Sequence, residues 1–148
     1  MTPPTDLPLR ILVLCTGNSC RSQLAEAFIA RDGGDRVVVT SAGTHPSVVA
    51  PLTIEVLAER GIDWSRARSK SMTDYLDQAF DVVVTVCDDA NEACPVFPGG
   101  GLKLHRAFRD PALARGTDAE RRVVYREVRD EIEAWVPGFL ADVSSASS

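Results

Sequence analysis

The residues best suited to chemistry form one short stretch that follows an apolar run near the N-terminus. It reads Cys15-Thr16-Gly17-Asn18-Ser19-Cys20-Arg21-Ser22 and leads into a helix-like segment. A loop of this composition between a buried strand and a helix start points several backbone N–H groups at one spot, where a tetrahedral oxyanion could bind. The same field favours the thiolate form of a cysteine. We therefore predict that Cys15 is a nucleophile at the mouth of an anion-binding loop.

Other residues of this loop have predicted tasks beside the nucleophile. Arg21 offers a planar fork of donors that can grip two oxygens of the anion, which a lysine could not do in the same geometry. Ser22 can donate its hydroxyl to the Cys15 sulfur. The remaining substrate contacts should come from the residues between nucleophile and arginine, which are Thr16, Gly17, Asn18, Ser19 and Cys20.

The alternative is that Cys15 and Cys20 are ordinary buried residues of a turn, because cysteine packs as a small hydrophobe. A Cys followed at this fixed distance by Arg-Ser, directly after an apolar strand, is a demanding pattern and favours the catalytic interpretation.

The composition fits one folded domain with a local anion site. A chain of 148 residues with 45% hydrophobic side chains can bury a sizeable core. A net charge of −5 argues against nucleic acid as the main partner. No apolar run approaches the ~20 residues of a membrane span, and the N-terminus lacks an export signal. We expect a monomeric, cytoplasmic protein with no membrane partner.

Apolar runs and turn signals predict an α/β fold, with one four-stranded parallel sheet flanked by helices. The predicted strands cover residues 9–14, 37–40, 80–86 and 101–105. The predicted helices cover 21–30 and 52–60, followed by a long helix that Asp118 caps and that Pro137 kinks or ends. Residues 1–8 should be a flexible lead-in, 9–143 the domain and 144–148 a disordered tail.

The carboxyl ends of the predicted strands bring further reactive residues toward the loop. Ligands of doubly wound sheets bind beyond these ends. Cys87 follows the third strand and Asp110-Pro111 follows the fourth, so both should lie at the edge where Cys15 emerges. His45 lies in a loop at the same edge, and we interpret it as a surface residue rather than a general base.

The second cysteine pair, Cys87 and Cys94, has no counterpart in a simple hydrolytic site. Zinc sites pair cysteine ligands more closely in sequence, so we predict no metal. If residues 87–94 are helical when reduced, the Cα atoms of the pair lie ~10 Å apart, whereas a disulfide tolerates at most ~7 Å. Forming a Cys87–Cys94 disulfide should therefore unwind the segment and push the oxidised pair into solvent, where a protein reductant can reach it.

The loop Cys15 to Ser22 resembles the phosphate loop of the low-molecular-weight protein tyrosine phosphatases and of the arsenate reductases that share their fold. The segments Val86-Cys87-Asp88, Cys94-Pro95 and Asp110-Pro111 resemble the thioredoxin-coupled arsenate reductases in particular. The likeness extends from Leu9 through the C-terminal helix. The resemblance implies a low-molecular-weight tyrosine phosphatase-like fold and arsenate as the substrate.

The same resemblance implies roles for individual residues and for a partner protein. Cys15 would attack arsenate, and Asp110 would protonate the departing oxygen. Cys87 would then attack the adduct, so that arsenite leaves and a disulfide joins the two sulfurs. Cys94 would relay that disulfide outward to thioredoxin. No bound cofactor is implied.

Two other functions remain open at this stage. A low-molecular-weight tyrosine phosphatase would use the same loop, but those enzymes typically carry Asp-Pro-Tyr where this chain has Asp110-Pro111-Ala112. A non-catalytic oxyanion-binding or redox-sensing module would bind without turnover. The sequence also leaves open a mycothiol- or bacillithiol-linked reductant, and a protective disulfide between Cys20 and Cys15.

A potassium site of some thioredoxin-coupled members supplies one more expectation. Its positions correspond here to Asn18, Glu26 and Ser41, with an acidic residue where this chain has Lys70. We predict that the Lys70 ammonium takes the place of the cation and pairs with Glu26, because lysine offers a compact positive charge on a flexible stem. The alternative is that Lys70 points to solvent, as most lysines do.

Overall fold

Four parallel strands form the centre of the structure, a computed structural model that describes residues 8–88, 94–99 and 101–146. The strands are β1 (Leu9–Cys15), β2 (Val37–Gly43), β3 (Val82–Thr85) and β4 (Leu102–His105). Their order in the sheet is β2-β1-β3-β4, and every neighbouring pair is parallel. The predicted four-stranded parallel sheet is therefore confirmed.

Within the described ranges, three α-helices accompany the sheet. They are α1 (Arg21–Gly33), α2 (Pro51–Ala58) and α3 (Asp118–Ala146). Short 3₁₀ turns cover Gly34–Arg36, Met72–Tyr75 and Pro111–Leu113. None of the helices in the described ranges combines the length and the apolar character that crossing a bilayer requires.

Strand β1 is buried on both faces, which explains its unbroken apolar sequence. Side chains alternate between the two faces of a strand. Ile11, Val13 and Cys15 lie in the larger apolar cluster with α1 and α3, while Leu12 and Leu14 belong to a second, smaller cluster. The alternation therefore delivers the Cys15 side chain to the α1 face of the sheet.

The register of the sheet gathers the reactive residues at one edge. Cys15 pairs with Gly43, and Thr85 pairs with His105. Cys87 follows just after β3, which is paired with β1. Residue 43 has to be glycine, because a Cβ there would collide with the backbone of the loop that follows Cys15. The carboxyl edge of the sheet thus carries the loop, Cys87 and His105 side by side.

The predicted cap of α3 is wrong by one residue. The Thr117 hydroxyl accepts a hydrogen bond from the Glu120 N–H at 3.1 Å, and the Glu120 carboxylate accepts one from the Thr117 N–H at 3.0 Å. This reciprocal pair is a capping box, with threonine at the N-cap position. Asp118 is the first helical residue instead of the cap.

Pro137 does not end α3, contrary to one of the two outcomes expected for it. The helix continues to Ala146. Proline removes one helical hydrogen bond, but the residues around it pack into the core, namely Val136, Phe139, Leu140 and Val143. Their burial holds the helix together across the proline. Residues 144–146 are therefore helical where a disordered tail was expected, while 147–148 and 1–7 lie outside the described residues.

Candidate active site

The loop that follows β1 wraps around the sulfur of Cys15. This residue is only 2% exposed. Its Sγ lies 2.9 Å from the Ser22 hydroxyl and accepts the Asn18 backbone N–H at 3.3 Å. Ser22 stands in the first turn of α1, so the helix N-terminus adjoins the sulfur. These donors stabilise a negative charge on Cys15.

The loop carbonyls face outward and are held by the surrounding chain. The carbonyls of Thr16, Gly17 and Ser19 accept hydrogen bonds from the surrounding chain. Their donors are, in that order, the His45 backbone N–H (2.9 Å), the Ser69 hydroxyl (2.9 Å) and the Thr53 hydroxyl (3.0 Å). Across a trans peptide the carbonyl and the following N–H point in opposite directions, so these N–H groups turn away from the outer partners. A tetrahedral oxyanion beside Cys15 would meet them.

Asn18 is the residue that fixes the loop. It is fully buried and adopts a positive φ of 48°, which asparagine tolerates better than most residues. Its amide donates to the hydroxyls of Ser22 (2.8 Å) and Ser41 (2.9 Å). Its carbonyl accepts the Lys70 backbone N–H (2.8 Å) and the Gln23 amide (3.0 Å). Both donors and both acceptor positions of the side chain are therefore used.

Behind Asn18 lies a partly buried acid, Glu26, with a lysine beside it. Ser41 donates to the Glu26 carboxylate at 2.6 Å, and the Lys70 ammonium lies 3.7 Å from the same oxygen. The ammonium also donates to the Arg68 carbonyl at 3.0 Å. Burial raises the pKa of Glu26 above 4.5, and the Ser41 hydrogen bond and the Lys70 charge offset part of that rise. The Lys70 ammonium thus lies beside Glu26, while its substitution for a cation stays a prediction.

Arg21 and Asp110 meet on the other side of the loop. The Arg21 side chain is 3% exposed, and its guanidinium lies 3.5 Å from Asp110 Oδ2. It also donates to the Phe108 carbonyl at 3.3 Å. Asp110 Oδ1 accepts the Ala112 N–H at 2.9 Å and so caps the 3₁₀ turn that follows. One carboxylate oxygen thus holds the turn, while the other faces the Arg21 guanidinium.

Cys20 directs its sulfur toward α3. Its Sγ lies 3.4 Å from the Tyr125 hydroxyl. Burial raises the pKa of the Cys20 thiol above 9.0, and hydrogen bonds, chiefly with Tyr125, offset part of the rise. Cys15 and Cys20 are both free cysteines. Because its side chain faces α3, Cys20 could contact an anion in the loop only through its backbone.

The second cysteine pair forms a disulfide at the same edge. Cys87 and Cys94 are joined, with their Cα atoms 5.9 Å apart. The expectation that the oxidised pair lies in solvent is wrong, because Cys87 is 0% exposed and Cys94 is half-buried. Cys87 continues from β3 into the apolar cluster that also holds Cys15. The helix expected over 87–94 falls mostly on residues 89–93, which lie outside the described residues.

Three supporting residues were missed by the sequence analysis. The buried Gln23 donates to both oxygens of Asn18, and a polar side chain on the apolar face of α1 was the signal that could have revealed it. Ser69 binds the loop carbonyl of Gly17 from a segment of mixed polarity that gave no signal. His105 ends β4 beside the disulfide, and its place at the carboxyl edge was a usable signal.

Comparisons with known proteins agree with this geometry. Residues 10–148 match the family described as low molecular weight phosphotyrosine protein phosphatase. The arsenate reductase of Halalkalibacterium halodurans is 45% identical over 122 residues, which cover 82% of this chain and 88% of that protein. The arsenate reductase of Bacillus subtilis is 43% identical over 123 residues, with coverage of 82% and 88%.

Solved structures show the same likeness. An arsenate reductase in its phosphate-binding state has a TM-score of 0.76 and 28% identity, over 91% of this chain and 98% of that one. A thioredoxin-dependent arsenate reductase of Corynebacterium glutamicum has a TM-score of 0.71 and 28% identity, over 94% of this chain and 63% of that one. A low molecular weight protein tyrosine phosphatase from T. tengcongensis, at 22% identity and a TM-score of 0.71, bears on the fold alone.

Proposed function

Since the chain belongs to the low molecular weight phosphotyrosine protein phosphatase family, we propose that it is an arsenate reductase of that family, in which Cys15, Cys87 and Cys94 carry the electrons. One observation supports this activity above the others. The disulfide pair Cys87–Cys94 lies at the sheet edge where the anion-binding loop opens. A phosphatase needs a thiolate, an arginine and an acid, but it has no use for two further sulfurs.

The first step is formation of a bond between sulfur and arsenic. Arsenate binds among the loop N–H groups and the Arg21 guanidinium, which neutralise its charge. The Cys15 thiolate attacks arsenic, and one oxygen departs. Asp110, whose Oδ2 lies 3.5 Å from the Arg21 guanidinium, donates the proton that lets the departing arsenate oxygen leave as water. Arsenic is still in the +5 state in this covalent adduct.

The second step is the reduction itself. The Cys87 thiolate attacks the Cys15 sulfur, and a disulfide forms between them. The electron pair of the sulfur–arsenic bond stays on arsenic, which leaves as arsenite in the +3 state. Two thiols have then lost two electrons, and arsenic has gained them. Cys15 and Cys87 are both buried and belong to one apolar cluster.

The third step regenerates the nucleophile. The Cys94 thiolate attacks Cys87, and Cys15 leaves as a thiolate with its loop intact. The product is the Cys87–Cys94 disulfide, the same pairing that the structure contains. A dithiol reductant then opens this disulfide, and it would meet the half-buried Cys94 before the buried Cys87. We assign this part to thioredoxin, with the protein acting as a monomer in the cytoplasm.

A weak phosphatase activity is a second expectation from the same loop. Phosphate and arsenate are both tetrahedral oxyanions, and a phosphoryl group on Cys15 can be transferred to water without any further thiol. The acid segment Asp110-Pro111-Ala112 offers no aromatic side chain to flank a phosphotyrosine ring. Arsenate reduction should therefore dominate over hydrolysis of aryl phosphates.

The decisive assay couples arsenate to NADPH. Purified protein is mixed with thioredoxin, thioredoxin reductase and NADPH, and absorbance loss is followed with and without arsenate. We expect arsenate-dependent oxidation of NADPH that disappears in Cys15→Ser, together with much slower hydrolysis of an aryl phosphate. Fast aryl phosphate hydrolysis with no arsenate-dependent NADPH loss would identify a phosphatase instead. Oxyanion binding without either activity would identify a binding module.

A further inference from the structure

A third metal-ligating side chain stands beside the relay cysteines. A ring nitrogen of His105 and the sulfurs of Cys87 and Cys94 all lie within 4.8 Å of one another. Among the described residues this is the one group of three or more His, Cys, Asp or Glu side chains with such spacing. The steps proposed for arsenate reduction give His105 no part. Two thiols and an imidazole form the donor set that thiophilic divalent cations prefer.

The spacing of these atoms fits a tetrahedral ion once the disulfide is opened. Zinc binds thiolate sulfur at about 2.3 Å and imidazole nitrogen at about 2.0 Å, so neighbouring ligand atoms lie roughly 3.5–3.8 Å apart. Reduction would let the two sulfurs separate toward this distance. The Cα atoms of Cys87 and Cys94, 5.9 Å apart, need not move for that. The imidazole has to approach by about an ångström or less.

The imidazole is already oriented by a neighbouring hydroxyl. Thr85 Oγ1 lies 2.7 Å from Nδ1 of His105 and 3.5 Å from the Leu104 carbonyl, to which it donates. In the tautomer whose Nδ1–H donates to this hydroxyl, the ring lone pair is on Nε2. Metal-binding histidines are usually held in this way through the nitrogen that does not bind the metal.

The different exposure of the three ligands indicates what kind of metal site they would form. Cys87 is buried, Cys94 is half-buried and His105 is exposed. An ion held by them would have protein on one side and water at its fourth position. Sites with three protein ligands and an open position exchange their ligands, in contrast to closed structural sites. Cys87 and Cys94 are farther apart in sequence than the paired cysteines of most zinc sites. The fold nevertheless brings their sulfurs together, and β4 supplies the third ligand.

We propose that Cys87, Cys94 and His105 form a redox-gated site for a thiophilic divalent cation such as Zn²⁺. The ion binds the dithiol form, replaces the two thiol protons and changes no oxidation state. Oxidation to the disulfide removes both thiolate ligands and releases it. The occupied site withholds both sulfurs from thiol–disulfide exchange. Binding requires only the dithiol and the imidazole, so it stands or falls separately from arsenate reduction.

Cobalt is the probe for this site, because thiolate-to-cobalt charge transfer absorbs in the near ultraviolet. Protein is reduced, freed of reductant under argon and titrated with Co²⁺. We expect a charge-transfer band that saturates at one ion per chain and that Zn²⁺ removes. The disulfide form should give no band. Cys15→Ser should keep the band, because all three ligands remain.

The histidine variants decide whether the site is the one proposed. His105→Ala should weaken Co²⁺ binding at least about tenfold, whereas His45→Ala, which removes the other histidine, should change nothing. Thermal unfolding of both variants confirms that they fold. As an independent readout, Zn²⁺ should slow alkylation of Cys94 in the parent protein and much less in His105→Ala. Absence of the band, equal binding by parent and His105→Ala, or loss of the band in Cys15→Ser would overturn the proposal.

Discussion

The two sulfur sites at the carboxyl edge of the sheet are built in different ways. The Cys15 sulfur is held by hydrogen bonds from its own loop, and that loop is tied in turn to the surrounding chain. Cys87 is held by core packing and by its bond to Cys94, which is itself only half-buried. Substrate binding therefore depends on a preformed geometry, whereas electron transfer depends on sulfurs that exchange partners.

The Asn18 network shows how strongly the first site is determined. Within the described residues no buried side-chain nitrogen or oxygen lacks a hydrogen-bond partner. Asn18 links Ser22, which touches the nucleophile, to Ser41, which touches Glu26. Such a network keeps the oxyanion donors in place before the substrate arrives, and preorganised donors are the most effective ones.

Cysteine substitutions should separate the two sites most strongly. Cys15→Ser should lower both arsenate reduction and aryl phosphate hydrolysis, on the order of 10⁴-fold or more, because the nucleophile of both is lost. Cys87→Ser should abolish arsenate turnover but keep aryl phosphate hydrolysis, since water can resolve a phosphoryl group on Cys15. Steady-state assays with both substrates measure this. Normal arsenate turnover by Cys87→Ser and Cys94→Ser with thioredoxin would refute the relay.

Asp110 belongs to the site around Cys15, so its substitution should affect only the chemical step at that site. Asp110→Asn removes the proton donor, and we expect disulfide formation after a single arsenate turnover to slow ~10²–10⁴-fold. Asparagine can still accept the Ala112 N–H, so thermal stability should change little. Asp110→Ala is the matched variant, because it loses the acid and the cap together. An unchanged single-turnover rate in Asp110→Asn, with a stability loss confined to Asp110→Ala, would reduce Asp110 to a capping residue.

Asn18→Ala tests whether the first site is preformed. It deletes four hydrogen bonds of a buried side chain and leaves alanine at positive φ. We expect a loss of about 1–3 kcal/mol in unfolding free energy and a higher KM for arsenate. Asn18→Gly should recover about 1 kcal/mol of that stability, because glycine accepts the backbone angle, but not the lost affinity. Unchanged arsenate binding in both variants would mean that the loop does not need this network.

Substitution of Lys70 should give the smallest effect, because this residue supports the loop only indirectly, through Glu26. Burial raises the pKa of Glu26 above 4.5, so ionising it in the folded protein lowers stability as pH rises above that value. In Lys70→Ala the missing charge should make stability fall more steeply as pH rises. We expect a loss of about 1 kcal/mol in the free energy of unfolding near neutral pH. Lys103→Ala is the charge-matched control. Denaturant unfolding from pH 4 to 8 measures the slopes, and equal slopes for Lys70→Ala and the parent would exclude the pairing.

The same pairing predicts indifference to the monovalent cation. At fixed ionic strength, replacing potassium by sodium should leave arsenate affinity and melting temperature unchanged, because an ammonium already lies beside Glu26. Lys70→Ala is the variant in which a cation effect could emerge. A clear potassium-specific rise in affinity or melting temperature of the unmodified protein would contradict the substitution of lysine for the ion.

Local patterns explain which features were predictable. Cys15, Arg21 and Ser22 are close in sequence, and the apolar run before them identifies the strand, so the loop could be recognised without a structure. The cap of α3 was misplaced because Thr117 and Asp118 are both good N-cap residues, and only the reciprocal bond with Glu120 distinguishes them.

Contacts between distant segments were not predictable, although two of the residues that make them, Gln23 and His105, carried a sequence signal. The burial of Cys87 depends on what packs over the chain after β3. The approach of His105 to the disulfide depends on the register between β3 and β4. Gln23 serves the loop only because α1 packs its polar side chain against Asn18. None of these relations follows from the residue types alone.

Disulfide mapping after a single turnover tests the central claim, that electrons pass from Cys15 to Cys87 and then to Cys94. Fully reduced protein is mixed with one equivalent of arsenate and no reductant, quenched with acid, alkylated and analysed by peptide mass spectrometry. We expect a Cys87–Cys94 disulfide in the unmodified protein, with Cys15 and Cys20 alkylated, and a trapped Cys15–Cys87 disulfide in Cys94→Ser. Arsenite formation accompanied by a Cys15–Cys20 disulfide, or by no protein disulfide, would contradict it.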